Sequence, residues 1–216
     1  MFLWPSKPEM IYEPDSMIRT WTELGKLDKI RVQLKKNGCR AITSIEDKVT
    51  IYDRHRTTLT VSLERDWSIL QQIWPKSLID GELIGRKQGE VSNRLYLWDI
   101  PVCQGEDLTK VSYLERYEEL LATFMHFAEG RHLELTHDPE WTYAQFGKVT
   151  IGVVQQYPAE SWLELLKAVN YAGSTGENEG LVWKEVTHNL GWSQVKTKDI
   201  KEQKKFLLKY HKLAHA

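Results

Sequence analysis

Two β-type runs, CRAITSIE (39–46) and KVTIYDR (48–54), are separated by Asp47 alone. A gap that short leaves an antiparallel hairpin as the connection, because a parallel return needs a crossover of a dozen or more residues. SLIDGELIGRK (77–87) and NRLYLWDIPV (93–102) repeat the pattern, with a turn expected around Gly89. KIRVQL (29–34), HLELTH (132–137), KVTIGVVQQY (148–157), EGLVWKEV (179–186) and WSQVKTK (192–198) read as further strands. Between them lie helical stretches. MIRTWTELGKL (17–27) ends near Gly25, and DWSILQQIW (66–74) starts on an Asp66 cap before Pro75. The run 107–130 carries Val111, Leu114, Tyr117, Leu120, Leu121 and Phe124 at helical spacing and closes at Gly130. The run from Pro158 to Gly173 is a capped helix. The result is a mixed α+β chain, one domain over 1–216, closed by a basic helix over about 199–213.

Composition narrows the function. With 29 basic and 30 acidic side chains the net charge is −1, so no global polycation marks a nucleic-acid binder. The charge is unevenly spread: seven lysines stand between Lys196 and Ala216 against Asp199 and Glu202. Cys39 and Cys103 make no disulfide framework and no metal-ligand spacing, which points to a reducing setting. No apolar run reaches signal or membrane-span length, so the expected location is the cytoplasm, or the host cytoplasm for a virus or phage.

VQLKKNGCRAI (32–42) places Lys35 and Lys36 at the end of a hydrophobic strand, where alternation turns one of them inward. Three other segments carry matching chemistry. IDGEL (79–83) holds a carboxylate behind an Asp-Gly turn, EGLVWK (179–184) starts on a glutamate and ends on a lysine, and VKTK (195–198) sets two lysines on one strand face. Singly, each reads as ordinary surface or turn. In this order they resemble the motifs of the covalent nucleotidyltransferase superfamily: ATP-dependent DNA ligases, RNA ligases and mRNA capping enzymes. K-x-D/N-G-x-R matches Lys35, Asn37, Gly38 and Arg40; D-G-E-L matches Asp80 to Leu83; an aromatic-Asp pair matches Trp98 and Asp99. E-G-hydrophobic-hydrophobic-x-K matches Glu179 to Lys184, K-x-K matches Lys196 and Lys198, and Arg54 fits a further strand arginine.

The resemblance implies an ATP-grasp-like nucleotidyltransferase domain of two antiparallel β-sheets flanked by helices, without an OB-fold domain. It implies that the Lys35 amine attacks the α-phosphorus of ATP, giving lysyl-AMP and pyrophosphate. An amine with an ordinary pKa of ~10.4 must be held neutral to do this, by burial and by nearby cations. Lys196, Lys198 and Arg40 would supply those cations and neutralise phosphate oxygens. Glu179 would hold Mg²⁺, with Mn²⁺ as an alternative. Gln33 would accept from the adenine amine, Glu82 would meet the ribose or a cation, and Arg40 would touch the ribose. Arg54 would meet the acceptor strand's 5′-phosphate. Trp98 is left between base stacking and core, and Lys184 between a phosphate and an exposed salt bridge. Lys36, facing the other way from Lys35, is expected at the surface.

Three departures stand out. Asn37 replaces the usual Asp, Trp192 precedes Lys196 by four residues where two is usual, and eighteen residues after Lys198 are too few for an OB barrel. The expected activity is an ATP-dependent polynucleotide ligase joining 3′-OH and 5′-phosphate ends, with RNA favoured over DNA because RNA ligases more often work without an OB domain. A minimal DNA ligase, a capping-type guanylyltransferase and an inactive binding module remain alternatives. The expected partner is a nucleic-acid strand met by a monomer through the basic tail, with an accessory protein left open.

Overall fold

The structure, a computed structural model, describes residues 3–5, 9–10, 14–59, 64–85, 93–172, 178–187, 192–194 and 205–209. Its strands are β1 (Leu3–Pro5), β2 (Glu9–Met10), β3 (Ile30–Lys36), β4 (Cys39–Ile45), β5 (Val49–Tyr52), β6 (Ser77–Ile84), β7 (Arg94–Cys103) and β8 (Glu106–Asp107). Then follow β9 (Thr136–His137), β10 (Trp141–Phe146), β11 (Val149–Val154), β12 (Tyr157–Pro158), β13 (Asn178–Glu185), β14 (Trp192–Gln194) and β15 (Lys205–Lys209). The helices are α1 (Pro14–Glu23), α2 (Glu64–Trp67), α3 (Leu70–Ile73), α4 (Tyr113–Gly130) and α5 (Trp162–Ala172). The chain divides into two compact units. Met1–Lys36, Val111–Tyr113 and Gln156–Ala216 form the first; Asn37–Lys110 and Leu114–Gln155 form the second.

The first unit is built on a five-stranded sheet in the order β12-β3-β13-β15-β2, and β1 and β14 pair as a separate two-stranded sheet. Alternation on β3 sends Ile30, Val32 and Leu34 into a core shared with Leu181 and Trp183 of β13. Trp21 from α1 and Trp162 and Leu165 from α5 cover the same core. Lys36 falls on this face too and is only 1 % exposed. The expectation of a surface Lys36 is therefore wrong: alternation holds to the strand's last residue, and the lysine that turns toward the core is Lys36, not Lys35. The expected closing helix is corrected as well. Lys205–Lys209 is a strand, antiparallel to β13 and parallel to β2. KFLLK (205–209) is a short apolar run between two lysines that pairs along β13; the rest of 199–213 lies outside the described residues.

The second unit carries an eight-stranded sheet in the order β5-β4-β6-β7-β11-β10-β9, with β8 on β7. The β4–β5 hairpin forms as expected, with Glu46, Asp47 and Lys48 between the strands. β7 and β11 pair in parallel, and the connection between them runs through α4, as a parallel crossover requires. β10 was not foreseen in the sequence. Asp80-Gly81 makes no turn: both lie inside β6, every residue of which is buried. Gly81 is there because a Cβ would come within 2.3 Å of the Tyr96 carbonyl oxygen, so the β7 backbone needs that space. The single helix expected over 66–74 is two short ones, and the Asp66 carboxylate accepts from the Lys148 N–H at 3.2 Å instead of capping.

α4 is held to the sheet by apolar and ionic contacts. Leu120, Phe124 and Ala128 are buried, and Phe124 stacks on Trp74 at 5.6 Å. The Tyr117 hydroxyl donates to the Val154 carbonyl at 3.0 Å. Arg116, on the same buried face, donates to both carboxylate oxygens of Asp99 at 2.7 and 3.1 Å, and neither side chain is exposed. Among the described residues no helix is long and apolar enough to cross a membrane, and no OB barrel is present.

A buried pair contributes little net stability but is costly to break on one side. Arg116→Met should lower unfolding stability by about 3–5 kcal/mol in a urea titration, because the buried Asp99 would lose its bidentate arginine. A loss within experimental error would show that Asp99 does not need its arginine.

Candidate functional site

In the first unit, the face of β3 opposite the core carries Gln33 and Lys35. Lys35 is half-buried and lies in register with Gly180 of β13; Gln33 lies opposite Val182 and Arg31 opposite Lys184. The register slips between Asn178 and Gly180, which sets Glu179 at a bulge, and Gly180 has φ +146°, a region that glycine alone enters freely. The Glu-Gly spelling thus has a backbone reason. The Glu179 side chain, Lys196 and Lys198 lie outside the described residues, so the lysine pair is not located.

A buried phenol organises this face. Tyr113, with no exposed surface, receives a hydrogen bond from Lys184 Nζ at 2.7 Å and one from Gln156 Nε2 at 2.9 Å. Its own hydroxyl donates to Gln33 Oε1 at 3.4 Å. The Lys184 ammonium also lies 4.3 Å from the centre of the Tyr113 ring, a cation–π distance. Lys184 is 4 % exposed, which overturns the alternative of an exposed salt bridge. Gln33 is 3 % exposed, and its Nε2 has no hydrogen-bond partner.

In the second unit, Arg40 of β4 sits opposite Glu82 of β6, and Ile42 opposite Asp80. Arg40, Asp80 and Glu82 therefore share one face of the sheet. The Arg40 guanidinium grips both oxygens of the fully buried Asp80 and lies 5.3 Å from the centre of the Trp98 ring. Burial works to lower the Arg40 pKa, but the carboxylates of Asp80, Glu82 and Asp99 outweigh it and hold the group above its ordinary value. Its charge is permanent. Arg40 was expected to touch a ribose; here its fork is committed to Asp80. Trp98 falls where the β6–β7 register slips, and one side of the half-buried indole packs on Ile84, Tyr96, Trp141 and Val154. Of the two alternatives for Trp98, the structure shows the core packing, with the Arg40 cation over the ring.

Glu82 is 8 % exposed and accepts the Gly38 N–H through Oε1 at 2.9 Å. It thus anchors the Asn-Gly turn that follows the lysine pair. A Cβ on Gly38 would stand 2.5 Å from the Leu83 carbonyl oxygen and 2.7 Å from Glu82 Cγ, so the glycine is required by packing rather than by its φ. Arg54 is exposed and donates from Nε to His55 Nε2 at 3.0 Å. Its loop is shaped by Asp53, which accepts from the N–H groups of His55 and Thr57 at 2.8 and 2.9 Å. Cys103 is a free thiol pushed up to about 11 by burial and the Glu119 carboxylate, so it is no nucleophile at neutral pH.

Sequence reasoning missed Tyr113, Gln156, Arg116 and the clamp role of Asp80. Arg116 left a trace as a charge three residues after Tyr113 on the apolar side of a helix. The others left none.

Gly38→Ala should cost about 1–3 kcal/mol of unfolding stability, because backbone and side chain must both yield to the new methyl. Gly130→Ala, where a Cβ meets nothing within 4 Å, should be neutral in the same assay. Equal effects at both positions would refute a packing role for Gly38.

No known family's sequence pattern matches the chain, and no curated protein sequence matches it. Solved structures do. The ATP-dependent DNA ligase of bacteriophage T7, in complex with ATP, superposes with a TM-score of 0.56 at 17 % identity, over 95 % of this chain and 68 % of the phage protein. An archaeal ATP-dependent RNA ligase gives 0.54 at 15 % identity, over 96 % of this chain and 48 % of its own. Mycobacterial DNA ligase D, complexed with ATP and MES, gives 0.51 at 12 % identity, over 84 % and 54 %. The chain spans about half the length of the archaeal and mycobacterial proteins. With Lys35, Arg40, Glu82 and Lys184 on the strands described above, this chain has the fold of the nucleotidyltransferase domain of ATP-dependent DNA and RNA ligases.

Proposed function

We propose that this chain is the adenylyltransferase domain of an ATP-dependent polynucleotide ligase, with RNA strands favoured over DNA. The observation that carries the reading is Lys35: half-buried, turned away from the apolar core, and sharing a strand face with Gln33. The neutral amine attacks the α-phosphorus of ATP; the N–P bond forms, the bond to the β-phosphate oxygen breaks, and pyrophosphate leaves. The AMP then passes to a strand's 5′-phosphate, freeing Lys35, and a 3′-hydroxyl attacks that phosphate to release AMP.

Each residue is assigned on its own chemistry: Gln33 of the first unit, with a buried, unpartnered amide nitrogen, to the base, and, in the second unit, Trp98 to a base and the fixed Arg40 cation to a phosphate or ribose. Lys184, Lys196 and Lys198 are proposed for the phosphates, with Glu82 shaping the motif turn. Glu179, whose side chain lies outside the described residues, is proposed to hold Mg²⁺ as a hard oxygen ligand. When bound it supplies charge neutralisation at the phosphates. Arg54, on its exposed loop, is assigned to the acceptor strand's 5′-phosphate. The lysines of the tail are assigned to further strand phosphates, and the domain is taken to act as a cytoplasmic monomer.

Purified protein mixed with α-labelled ATP and Mg²⁺ should acquire covalent AMP on the peptide containing Lys35. Lys35→Ala should abolish the label, whereas Lys36→Met should retain an acceptor amine. Label that persists in Lys35→Ala, or maps elsewhere, sinks the assignment. GTP labelling without ATP labelling would favour the capping alternative, and no label with either nucleotide an inactive binding module. Sealing of nicked RNA against nicked DNA and single-stranded ends decides the strand class.

A further inference from the structure

Asn37 and Gly38 join β3 to β4 and form the only Asn-Gly pair in the chain. That pair carries a chemistry of its own. The backbone nitrogen of the residue after an asparagine can attack the side-chain amide carbon, and a following glycine, lacking a Cβ, hinders the attack least. In that step the Gly38 N–H gives up its proton and its nitrogen bonds to Asn37 Cγ. The Cγ–Nδ2 bond breaks, and the nitrogen leaves with that proton as ammonia. Water, the only co-reactant, then opens the five-membered succinimide at either carbonyl, giving an aspartyl or an isoaspartyl residue.

The second unit holds the attacking nitrogen away from this reaction. The Gly38 N–H donates to Glu82 Oε1 at 2.9 Å, and the Glu82 side chain is buried. Hydrogen bonds to a charged group are among the stronger ones, and this one must break before the nitrogen can turn toward Asn37. Gly38 also has little room to turn: a Cβ there would lie 2.5 to 2.7 Å from the Leu83 carbonyl oxygen, Glu82 Cγ and Ile84 Cδ1. We infer that Asn37 is a site of spontaneous deamidation, restrained in the folded chain by the Glu82 hydrogen bond to Gly38. Local opening of the β3–β4 turn, or unfolding, releases the restraint. An isoaspartyl product inserts one backbone carbon two residues after Lys35, at a turn where Gly38 has no slack, so a chain that carries it is less stable. This chemistry is independent of any nucleotide at Lys35.

The test follows succinimide, aspartate and isoaspartate at position 37 by peptide mass mapping of the full chain aged at neutral pH. The native chain should convert at least about 10-fold more slowly than the same chain unfolded in urea, the factor expected when a bond to a charged group must first break. Glu82→Ala should convert about 10- to 100-fold faster than the native chain, and Glu82→Gln, which keeps an acceptor oxygen, more slowly than Glu82→Ala. Native conversion as fast as that of the unfolded chain would overturn the inference. So would a Glu82→Ala variant that is folded by circular dichroism yet converts at the native rate. Hydrogen exchange at the Gly38 N–H of the unaltered chain needs no variant: strong slowing against the unfolded chain supports the bond, and exchange at the unfolded rate removes it. Aged protein carrying isoaspartate, separated by ion exchange, should unfold at lower urea than the native fraction; equal midpoints would overturn the strain assigned to the turn.

Discussion

The antiparallel ladder between β3 and β13 is the interaction on which the first unit depends. It brings two apolar alternations into register, Leu34 opposite Leu181 and Val32 opposite Trp183, and so closes the core. Because the side-chain period is two, the same ladder gathers Gln33, Lys35 and Lys184 on the other face without any further instruction. A slip of one residue would exchange the two sets, burying the polar residues among tryptophans. Burial of Trp183 and Val32 is therefore what holds the lysines in place. The bulge at Glu179 and the unusual φ of Gly180 are the local irregularity this ladder accommodates at its end.

The second unit solves a different problem, which is to keep charges buried. Asp80 and Asp99 sit opposite one another across β6 and β7, both without exposure. Like charges so close would repel, and each is answered by its own arginine, Arg40 on one side and Arg116 on the other. Such pairs contribute little net stability, but each fixes a geometry. Arg40, clamped by Asp80 and resting on Trp98, cannot swing freely. It presents a fixed cation and covers part of an indole whose opposite side is packed into the sheet. The order of this face comes from paired charges, whereas that of the first unit comes from apolar packing and a single phenol.

Several features were legible because the residue type itself carries the geometry. The short gap around Asp47 dictated a hairpin. The Lys35-x-Asn37-Gly38 spacing located the strand end, whereas the bulge at Glu179 emerged only from the pairing. Other features were misread for definite reasons. Asp80-Gly81 looks like a turn, yet it lies mid-strand, because the glycine serves a neighbouring backbone and not a change of direction. Lys36 was taken for a surface residue because lysine usually is; alternation outranked that preference. KFLLK has helical company in the sequence, but a sheet with room at β13 drew it into a strand.

By itself, the order of motifs determined the fold class, the strand that carries Lys35 and the hairpins around it, since these depend on period, turn length and residue type within a few positions. Only the tertiary structure decided which lysine faces the core, that Arg40 is clamped by Asp80, and that Tyr113 joins Gln33, Lys184 and Gln156. The partners in those contacts are separated in sequence by up to 80 residues, from Gln33 to Tyr113, and no local pattern marks them. A hydrogen bond depends on where two backbones meet after the core has closed, and that is a property of the packed chain.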